Sequence, residues 1–240
     1  MTDHEFSHSS PPDDADAGAV FALYPVFAGG PKLRELFRDA DDLDAGAREI
    51  EDLLKRWAGR VELRGAYSTV GFRADADLML WLVGTAPEEL QRLVVELRRT
   101  QLGALLEMRW TFMGVVKPAE FTRDHAPAFV KGEPPKRYAC VYPFVRTPEW
   151  YLLPATERAD LLAEHGVMGR EFPDVLANTT SGFGLGDWEW VLCFEADRAD
   201  RLVDCIRRLR DASARRFTKE EVPFVTGIRK SVRDALDDLV

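Results

Sequence analysis

The chain contains the sequence LYPVF at residues 23–27 and a close variant, VYPFV, at residues 141–145. The two copies are separated by about half of the 240-residue length. A similarity that returns at a fixed offset indicates a duplicated unit. The order of strands and helices around the first copy should therefore return around the second.

Apolar periodicity predicts the same order of elements in both halves. In the first half, strands are expected at 19–27, 61–72, 77–83 and 110–116, and helices at 43–57 and from Pro87, with Thr85 as a plausible N-cap. In the second half, strands are expected at 137–145, 175–183, 188–194 and 222–226, and helices at 154–167 and 199–210. Each half has the β-α-β-β-α-β order of a ferredoxin-like unit. We therefore predict an α+β fold of two fused ferredoxin-like modules, whose sheets pack face to face or close into a barrel.

The domain boundaries follow from composition. Residues 1–17 are acidic and rich in Ser and Pro, and are predicted to be a disordered tail. The modules are expected at 18–116 and 137–230, with a proline-containing linker at 117–136 and a C-terminal tail at 231–240. The linker contains His125, and a histidine on a loop can face a cavity more easily than one in a core.

Composition also argues against several kinds of partner. A formal charge of −9 disfavours nucleic acid or an anionic membrane as the main partner. The longest apolar run, at 78–83, is far too short to span a bilayer, and residues 1–17 lack the apolar segment of a signal peptide. Cys140, Cys193 and Cys205 lie in apolar runs without CxxC spacing, which is typical of reduced core cysteines in a cytoplasmic protein.

The sequence EHGVMGR at 164–170 is the most informative for function. It places His165 near the predicted end of a helix, and imidazole is a common ligand of iron. Arg170 could pair with a carboxylate of an iron cofactor. The alternative is a helix-terminal histidine favoured by the helix dipole and followed by a glycine cap at Gly166. Periodicity alone favours this alternative.

Other residues of the second half could surround or bind such a cofactor. Tyr142 and Arg146 are four residues apart on one predicted strand and so point to the same face, although the tyrosine could simply be strand core. A basic cluster after the last long helix could hold a carboxylate-rich anion or form a solvated helix face. The cluster comprises Arg207, Arg208, Arg210, Ser213, Arg215 and Arg216. Apolar surroundings are offered by Phe144, Trp150, Leu152, Phe183, Trp188 and Trp190.

Taken together, these sequences resemble a known family. They are YPFVR at 142–146, WYLLP at 150–154, EHGVMGR at 164–170, DWEW at 187–190 and SAR at 213–215. They resemble the chlorite dismutase-like haem proteins, and within that superfamily they are most similar to the actinobacterial coproheme decarboxylases. The resemblance covers roughly residues 18–230, by motifs in the second half and mainly by topology in the first. It implies a dimeric α+β barrel.

The resemblance also implies roles for individual residues. His165 matches the proximal ligand of the iron, and Tyr142 matches the redox-active tyrosine beside a reacting propionate. His125 matches the distal histidine that acts as a general base on peroxide. Trp150 matches a position beside the pocket that could share radical character.

Further positions concern the propionates and the choice of reaction. Arg146, Arg170 and Ser213 match positions near propionates. Asn178 stands thirteen residues after His165, where chlorite-degrading members carry an arginine. We therefore place Asn178 at the cofactor and do not expect chlorite dismutation.

The implied reaction is the hydrogen peroxide-dependent decarboxylation of two propionates of coproheme III to vinyl groups. It gives haem b through a three-propionate intermediate, harderoheme, so that Fe-coproporphyrin III is both substrate and redox cofactor. The resemblance further implies a cytoplasmic homopentamer and transient contact with coproporphyrin ferrochelatase.

Three other functions remain open on the sequence alone, because one fold can serve many functions. A haem carrier or haem-responsive regulator would need neither His125 nor Tyr142. A dye-type peroxidase would keep His165 but would not need a tyrosine beside a propionate. A cofactor-free ferredoxin-like monooxygenase would need no iron.

Overall fold

A single nine-stranded sheet organises the computed structural model, which describes residues 18–37, 39–117 and 126–240. The strands are β1 (Phe21–Gly29), β2 (Val61–Ser68), β3 (Leu78–Gly84), β4 (Leu106–Val115), β5 (Tyr138–Arg146), β6 (Leu176–Ser181), β7 (Trp190–Ala196), β8 (Thr218–Glu220) and β9 (Val225–Lys230). The α-helices are α1 (Pro31–Leu36), α2 (Ala40–Trp57), α3 (Pro87–Leu97), α4 (Pro148–Leu152), α5 (Ala155–Gly169), α6 (Ala199–Leu209) and α7 (Val232–Asp237). Short 3-10 turns cover Gly103–Leu105 and Ser213–Phe217.

The sheet closes on itself. Its order is β7-β6-β4-β1-β3-β2-β9-β5-β8, and β7 also pairs with β5, so all strands except β8 belong to a closed ring. Followed in one direction, the ring runs β4-β1-β3-β2 through the first half and then β9-β5-β7-β6 through the second. When the short β8 is left aside, each half thus places its fourth, first, third and second strands in the same order. The predicted fold, two ferredoxin-like modules forming a dimeric α+β barrel, is confirmed.

The two modules share the core inside this barrel. Large side chains of the first sheet, such as Tyr24, Trp81 and Phe112, pack against Val141 and Cys193 of the second. Outside the barrel, the two modules differ. Helices α2 and α3 cover the first sheet with a large apolar cluster, whereas the cluster on the outer face of the second sheet is much smaller.

The C-terminal tail predicted at 231–240 is instead structured. The Ser231 hydroxyl caps α7 by accepting a hydrogen bond from the Asp234 backbone N–H at 3.0 Å. Ala235, Leu236 and Leu239 are buried in the apolar cluster under α2 and α3. A helix of so few residues is too short to show an apolar period in the sequence. Its stability comes mainly from tertiary contacts, which the sequence does not display.

Two predicted helix caps are also wrong. The N-cap of α3 is Ala86, which makes no side-chain cap bond, and not Thr85. Pro87 stands at the first helical position, where its missing N–H costs nothing. Helix α5 runs through Gly166 to Gly169, and the Arg170 N–H bonds to the Gly166 carbonyl at 3.1 Å. His165 therefore lies within the helix and not beside its cap.

Within the described residues, none of the helices is long and apolar enough to cross a bilayer.

Candidate functional site

A cleft opens on the outer face of the second sheet, between the strands β5 and β7 and the helices α5 and α6. The space inside it that a water molecule can occupy is about 80 Å³. Apolar walls surround polar side chains from several elements. The lining residues are Tyr142, Phe144, Arg146, His165, Leu192, Phe194, Ile206, Leu209, Arg210, Ala214, Arg215, Thr218 and Glu221.

His165 reaches the cleft from α5, a helix that is poorly covered. None of the 15 residues of α5 is buried, and the helix packs mainly against α6 and the Ser213–Phe217 turn. A helix that packed directly on a sheet would bury an apolar stripe. The outer face of β6 is open as well, since Ala177 and Thr179 are exposed.

Ser213 holds α5 in place next to His165. The Glu164 carboxylate accepts hydrogen bonds from the Ser213 backbone N–H at 2.9 Å and from the Ser213 hydroxyl at 3.2 Å. The serine thus ties the 213–217 turn to the residue that precedes the histidine. This bond orients the helix of His165.

Tyr142 forms the floor of the cleft and is almost fully buried. Its ring stacks on Phe224, with ring centroids 4.4 Å apart and an interplanar angle of 22°. Burial raises the pKa of the phenol well above its ordinary value, with a smaller contribution from nearby negative groups that include Glu221. The phenol therefore keeps its proton at neutral and mildly alkaline pH.

Arg146 lies in the cleft between two aromatic rings. Its guanidinium carbon is 4.0 Å from the centroid of Trp150 and 4.5 Å from that of Phe144, and its Nη1 donates to the Ala214 carbonyl at 2.9 Å. Burial lowers the pKa of this guanidinium to about 10, so it is still charged at neutral pH. Trp150 is buried behind Arg146 and supports it.

Three charged residues form the far wall of the cleft. Arg210 Nη1 lies 2.5 Å from Glu221 Oε2, and Arg215 Nη1 bonds to the same oxygen. Arg210 and Arg215 belong to the predicted basic cluster, whereas Glu221 was not foreseen. It lies between β8 and β9, where the sequence shows no periodicity. Arg208 of the same cluster faces Glu171 and Asp211 instead.

The prediction that Asn178 lies at the cofactor is wrong for this structure. Across the sheet, Thr179 pairs with Leu192, which pairs with Tyr142, so these three share the face of the cleft. Asn178 pairs with Cys193 and points into the barrel, because successive strand residues alternate between faces.

Asn178 instead joins a buried polar network. Its amide donates to the Cys193 carbonyl at 3.0 Å and to Glu195 Oε1 at 3.1 Å, and its Oδ1 accepts from the Phe129 N–H at 2.9 Å. Arg64 of β2 donates to Glu195 Oε1 at 2.7 Å and to the Glu133 carbonyl at 2.9 Å. The network fastens the linker to both modules.

The remaining predicted site residues lie elsewhere. Arg170 is exposed at the end of α5 and does not line the cleft. His125 is outside the described residues. Of the predicted apolar surroundings, Phe144 lines the cleft and Trp150 lies behind it, whereas Leu152 is 82% exposed and Trp188 packs on Phe112.

Comparison with known proteins identifies the family of this chain. The family model described as Chlorite dismutase matches residues 44–230. The chain belongs to the chlorite dismutase family. A coproheme decarboxylase from Mycolicibacterium smegmatis is 46% identical over 222 residues, covering 91% of this chain and 94% of the relative. A coproheme decarboxylase from Thermus thermophilus is 31% identical over 158 residues, covering 59% of this chain and 63% of the relative.

Solved structures in the chlorite dismutase family share the fold. The chlorite dismutase of Candidatus Nitrospira defluvii in complex with imidazole superposes with a TM-score of 0.82 at 21% identity, covering 92% of this chain and 94% of the other. The putative chlorite dismutase TA0507 gives a TM-score of 0.80 at 21% identity, covering 92% of this chain and all of the other.

The cleft suits a haem-like group of this family. It combines one imidazole, a phenol, apolar walls and three guanidinium groups, which match a metal, an aromatic macrocycle and its carboxylates. The open face of β6 and the incompletely buried helix α5 leave surface that a bound macrocycle could cover.

Proposed function

We propose that this protein is a coproheme decarboxylase, which converts two propionates of coproheme III to vinyl groups and yields haem b. The observation that carries the proposal is that Tyr142 and His165 line one cleft with Arg146, in a chain 46% identical to a coproheme decarboxylase over almost its full length. Coproheme, when bound, supplies the iron and the conjugated ring that react with peroxide.

His165 would bind the iron, and the guanidinium groups would bind carboxylates of the substrate. Four propionates make coproheme strongly anionic, so a site with Arg146, Arg210 and Arg215 is favourable even in a chain of formal charge −9. Phe144, Leu192 and Ile206 provide apolar contact for the ring and keep water away.

Tyr142 would carry the hydrogen abstraction. Its buried phenol gives up one proton and one electron, and the tyrosyl radical takes a hydrogen atom from the β-carbon of a propionate. Loss of carbon dioxide and of a second electron then leaves a vinyl group. Overall, one propionic acid and one hydrogen peroxide give one vinyl group, one carbon dioxide and two waters, so two peroxides are needed to reach haem b through harderoheme.

His125 is proposed as the base that takes a proton from peroxide. Replacing His125 with Ala should slow the reaction with peroxide by about 10²–10⁴-fold at neutral pH, the usual contribution of general base catalysis. Stopped-flow spectra of the coproheme complex would measure this rate. Recovery of the rate at alkaline pH, where peroxide loses its proton unaided, would support the assignment, and an unchanged rate at neutral pH would refute it.

The residues of the cleft also bear on the alternatives. A carrier would not need a tyrosine at the floor of the cleft. Neither Ala177 nor Thr179, the outward residues of β6, provides the arginine of chlorite-degrading members. The homopentamer, the cytoplasmic location and the contact with a ferrochelatase stay predictions.

The proposal is tested by mixing the protein with coproheme III and hydrogen peroxide and following the porphyrin by mass spectrometry. We expect two successive losses, each of one carbon dioxide and two hydrogen atoms, with the three-propionate species in between. A His165→Ala variant serves as control and should leave coproheme without a protein ligand to the iron. Unchanged coproheme in the presence of the wild-type protein would refute the proposed function.

A further inference from the structure

Glu221 occupies the centre of the positive wall of the cleft. One oxygen, Oε2, accepts from both Arg210 and Arg215, and the side chain is only 12% exposed. The two guanidinium groups thus already hold a carboxylate that belongs to the chain. The formal charges of Arg210, Arg215 and Glu221 sum to +1, so one of the two positive charges is not compensated by the glutamate.

The Glu221 carboxylate lies where a carboxylate of the substrate would be expected, close to Tyr142. Glu221 lines the same cleft as Tyr142 and is close enough to contribute to the raised pKa of its phenol. Arg210 acts on Tyr142 in the opposite direction. A carboxylate bound to these arginines therefore lies in the electrostatic neighbourhood of the reactive phenol.

The backbone around Glu221 allows the side chain to leave. The residue lies between the last residue of β8, Glu220, and the first residue of β9, Val225. The following residue, Val222, is 57% exposed. A rotation of the glutamate side chain would bring its carboxylate into water, where it needs no partner.

We propose that Glu221 is a stand-in for a substrate carboxylate, which a propionate of coproheme displaces from Arg210 and Arg215. The inference rests on the proposed function, because it takes coproheme as the ligand. Displacement replaces one ion pair with another, so the two guanidinium groups keep a carboxylate partner throughout. Once the propionate has become a vinyl group, it can no longer hold the arginines, and Glu221 returns to them.

Competition by Glu221 has a direct effect on affinity. Only the fraction of protein in which Glu221 has left the arginines can bind the propionate there, and the apparent dissociation constant rises accordingly. A porphyrin with vinyl groups at the reacting positions does not meet this competition. Glu221 thus weakens the binding of the substrate relative to that of the product.

The test uses full-length protein and metal-free porphyrins, which cannot react. Dissociation constants are measured by fluorescence for coproporphyrin III, with four carboxylates, and for protoporphyrin IX, with two. In Glu221→Gln, binding of coproporphyrin III should become at least about fivefold tighter, while binding of protoporphyrin IX should change by less than about twofold. Glu220→Gln is the matched control, because it removes the same charge from the exposed neighbour and reports the long-range effect alone.

The possible results separate this inference from the proposed function. Equal or weaker binding of coproporphyrin III by Glu221→Gln would overturn the stand-in role and would indicate that the glutamate positions the arginines. An equal gain in Glu220→Gln would also overturn it. If the wild-type protein and both variants fail to bind coproporphyrin III, this inference falls, whereas the proposed function is decided separately by the turnover of coproheme, whose iron His165 would bind. Circular dichroism of the variants confirms that the comparison is between folded proteins, and Glu221→Ala provides a second variant with the same expected direction.

Discussion

At the scale of single residues, the environment of Tyr142 distinguishes it from an ordinary strand tyrosine. The phenol is buried, stacked on Phe224 and placed in a cleft with an imidazole and guanidinium groups. Sequence spacing correctly predicts that Tyr142 and Arg146 share a face, since both line the cleft. It could not reveal the stacking partner, because Phe224 is distant in sequence, and the strand predicted at 222–226 begins only at Val225 in the structure.

Replacing Tyr142 with Phe removes the phenol and leaves the ring. We expect coproheme to bind while decarboxylation falls by at least about a hundredfold, which corresponds to about 2.7 kcal/mol of barrier. Tyr142 is the only tyrosine in the lining of the cleft as the structure describes it. Product mass and Soret titration measure the two effects separately. Tyr138→Phe, on the same strand but outside the cleft, should leave both unchanged, and undiminished turnover of Tyr142→Phe would contradict the radical role.

Asn178 shows where counting along the sequence fails at this scale. A fixed distance of thirteen residues from His165 cannot tell which face of a strand a side chain takes. A shift of one residue moves a side chain to the other face of the sheet, because adjacent strand residues point to opposite faces. Here the ladder places Thr179 on the side of Tyr142 and places Asn178 in the barrel.

At the scale of elements, the long helices and the strands of the barrel were predictable and their ends were not. Helix α2 was expected at 43–57 and spans Ala40–Trp57, and α6 was expected at 199–210 and spans Ala199–Leu209. These helices have a strong apolar stripe, so periodicity identifies them. The short elements α1, α4, α7 and β8 were missed, since each has too few residues to show a period.

Helix α5, which carries His165, continues past the end that its sequence predicted. It was predicted at 154–167 and spans Ala155–Gly169, so its end was placed two residues too early. A glycine inside a helix costs about 1 kcal/mol relative to alanine. Among the described residues, the nearest atom to a Cβ added at Gly166 is Nη1 of Arg170, at 3.6 Å, so space alone does not require glycine there.

At the scale of the whole molecule, the two modules are joined by the buried network around Glu195. Glu195 is fully buried, and it binds Arg64 of the first module, Asn178 of the second and the Lys136 N–H of the linker. A sequence gives no direct signal for such a network, because its members are separated by more than a hundred residues in the case of Arg64 and Glu195.

Replacing Glu195 with Gln should destabilise the entire protein. The change leaves the Arg64 guanidinium buried without its counter-charge, and such a loss typically costs about 3–5 kcal/mol of the free energy of unfolding. Urea unfolding of the wild type and the variant measures the difference. Asp197→Asn is the control: Asp197 pairs with Lys136 at the surface, where an ion pair contributes less than about 1 kcal/mol. Equal effects of the two substitutions would contradict the structural role of Glu195.

The placement of α7 affects how the protein is made. Ala235, Leu236 and Leu239 fill a core whose other walls come from the opposite end of the chain. During synthesis these residues are made well after the N-terminal half, so that half has an incomplete apolar core until they have been added. A nascent chain of this kind is exposed to aggregation and to chaperone binding until that later segment has been made. An affinity tag fused after Val240 would emerge beside the first module rather than beside the cleft.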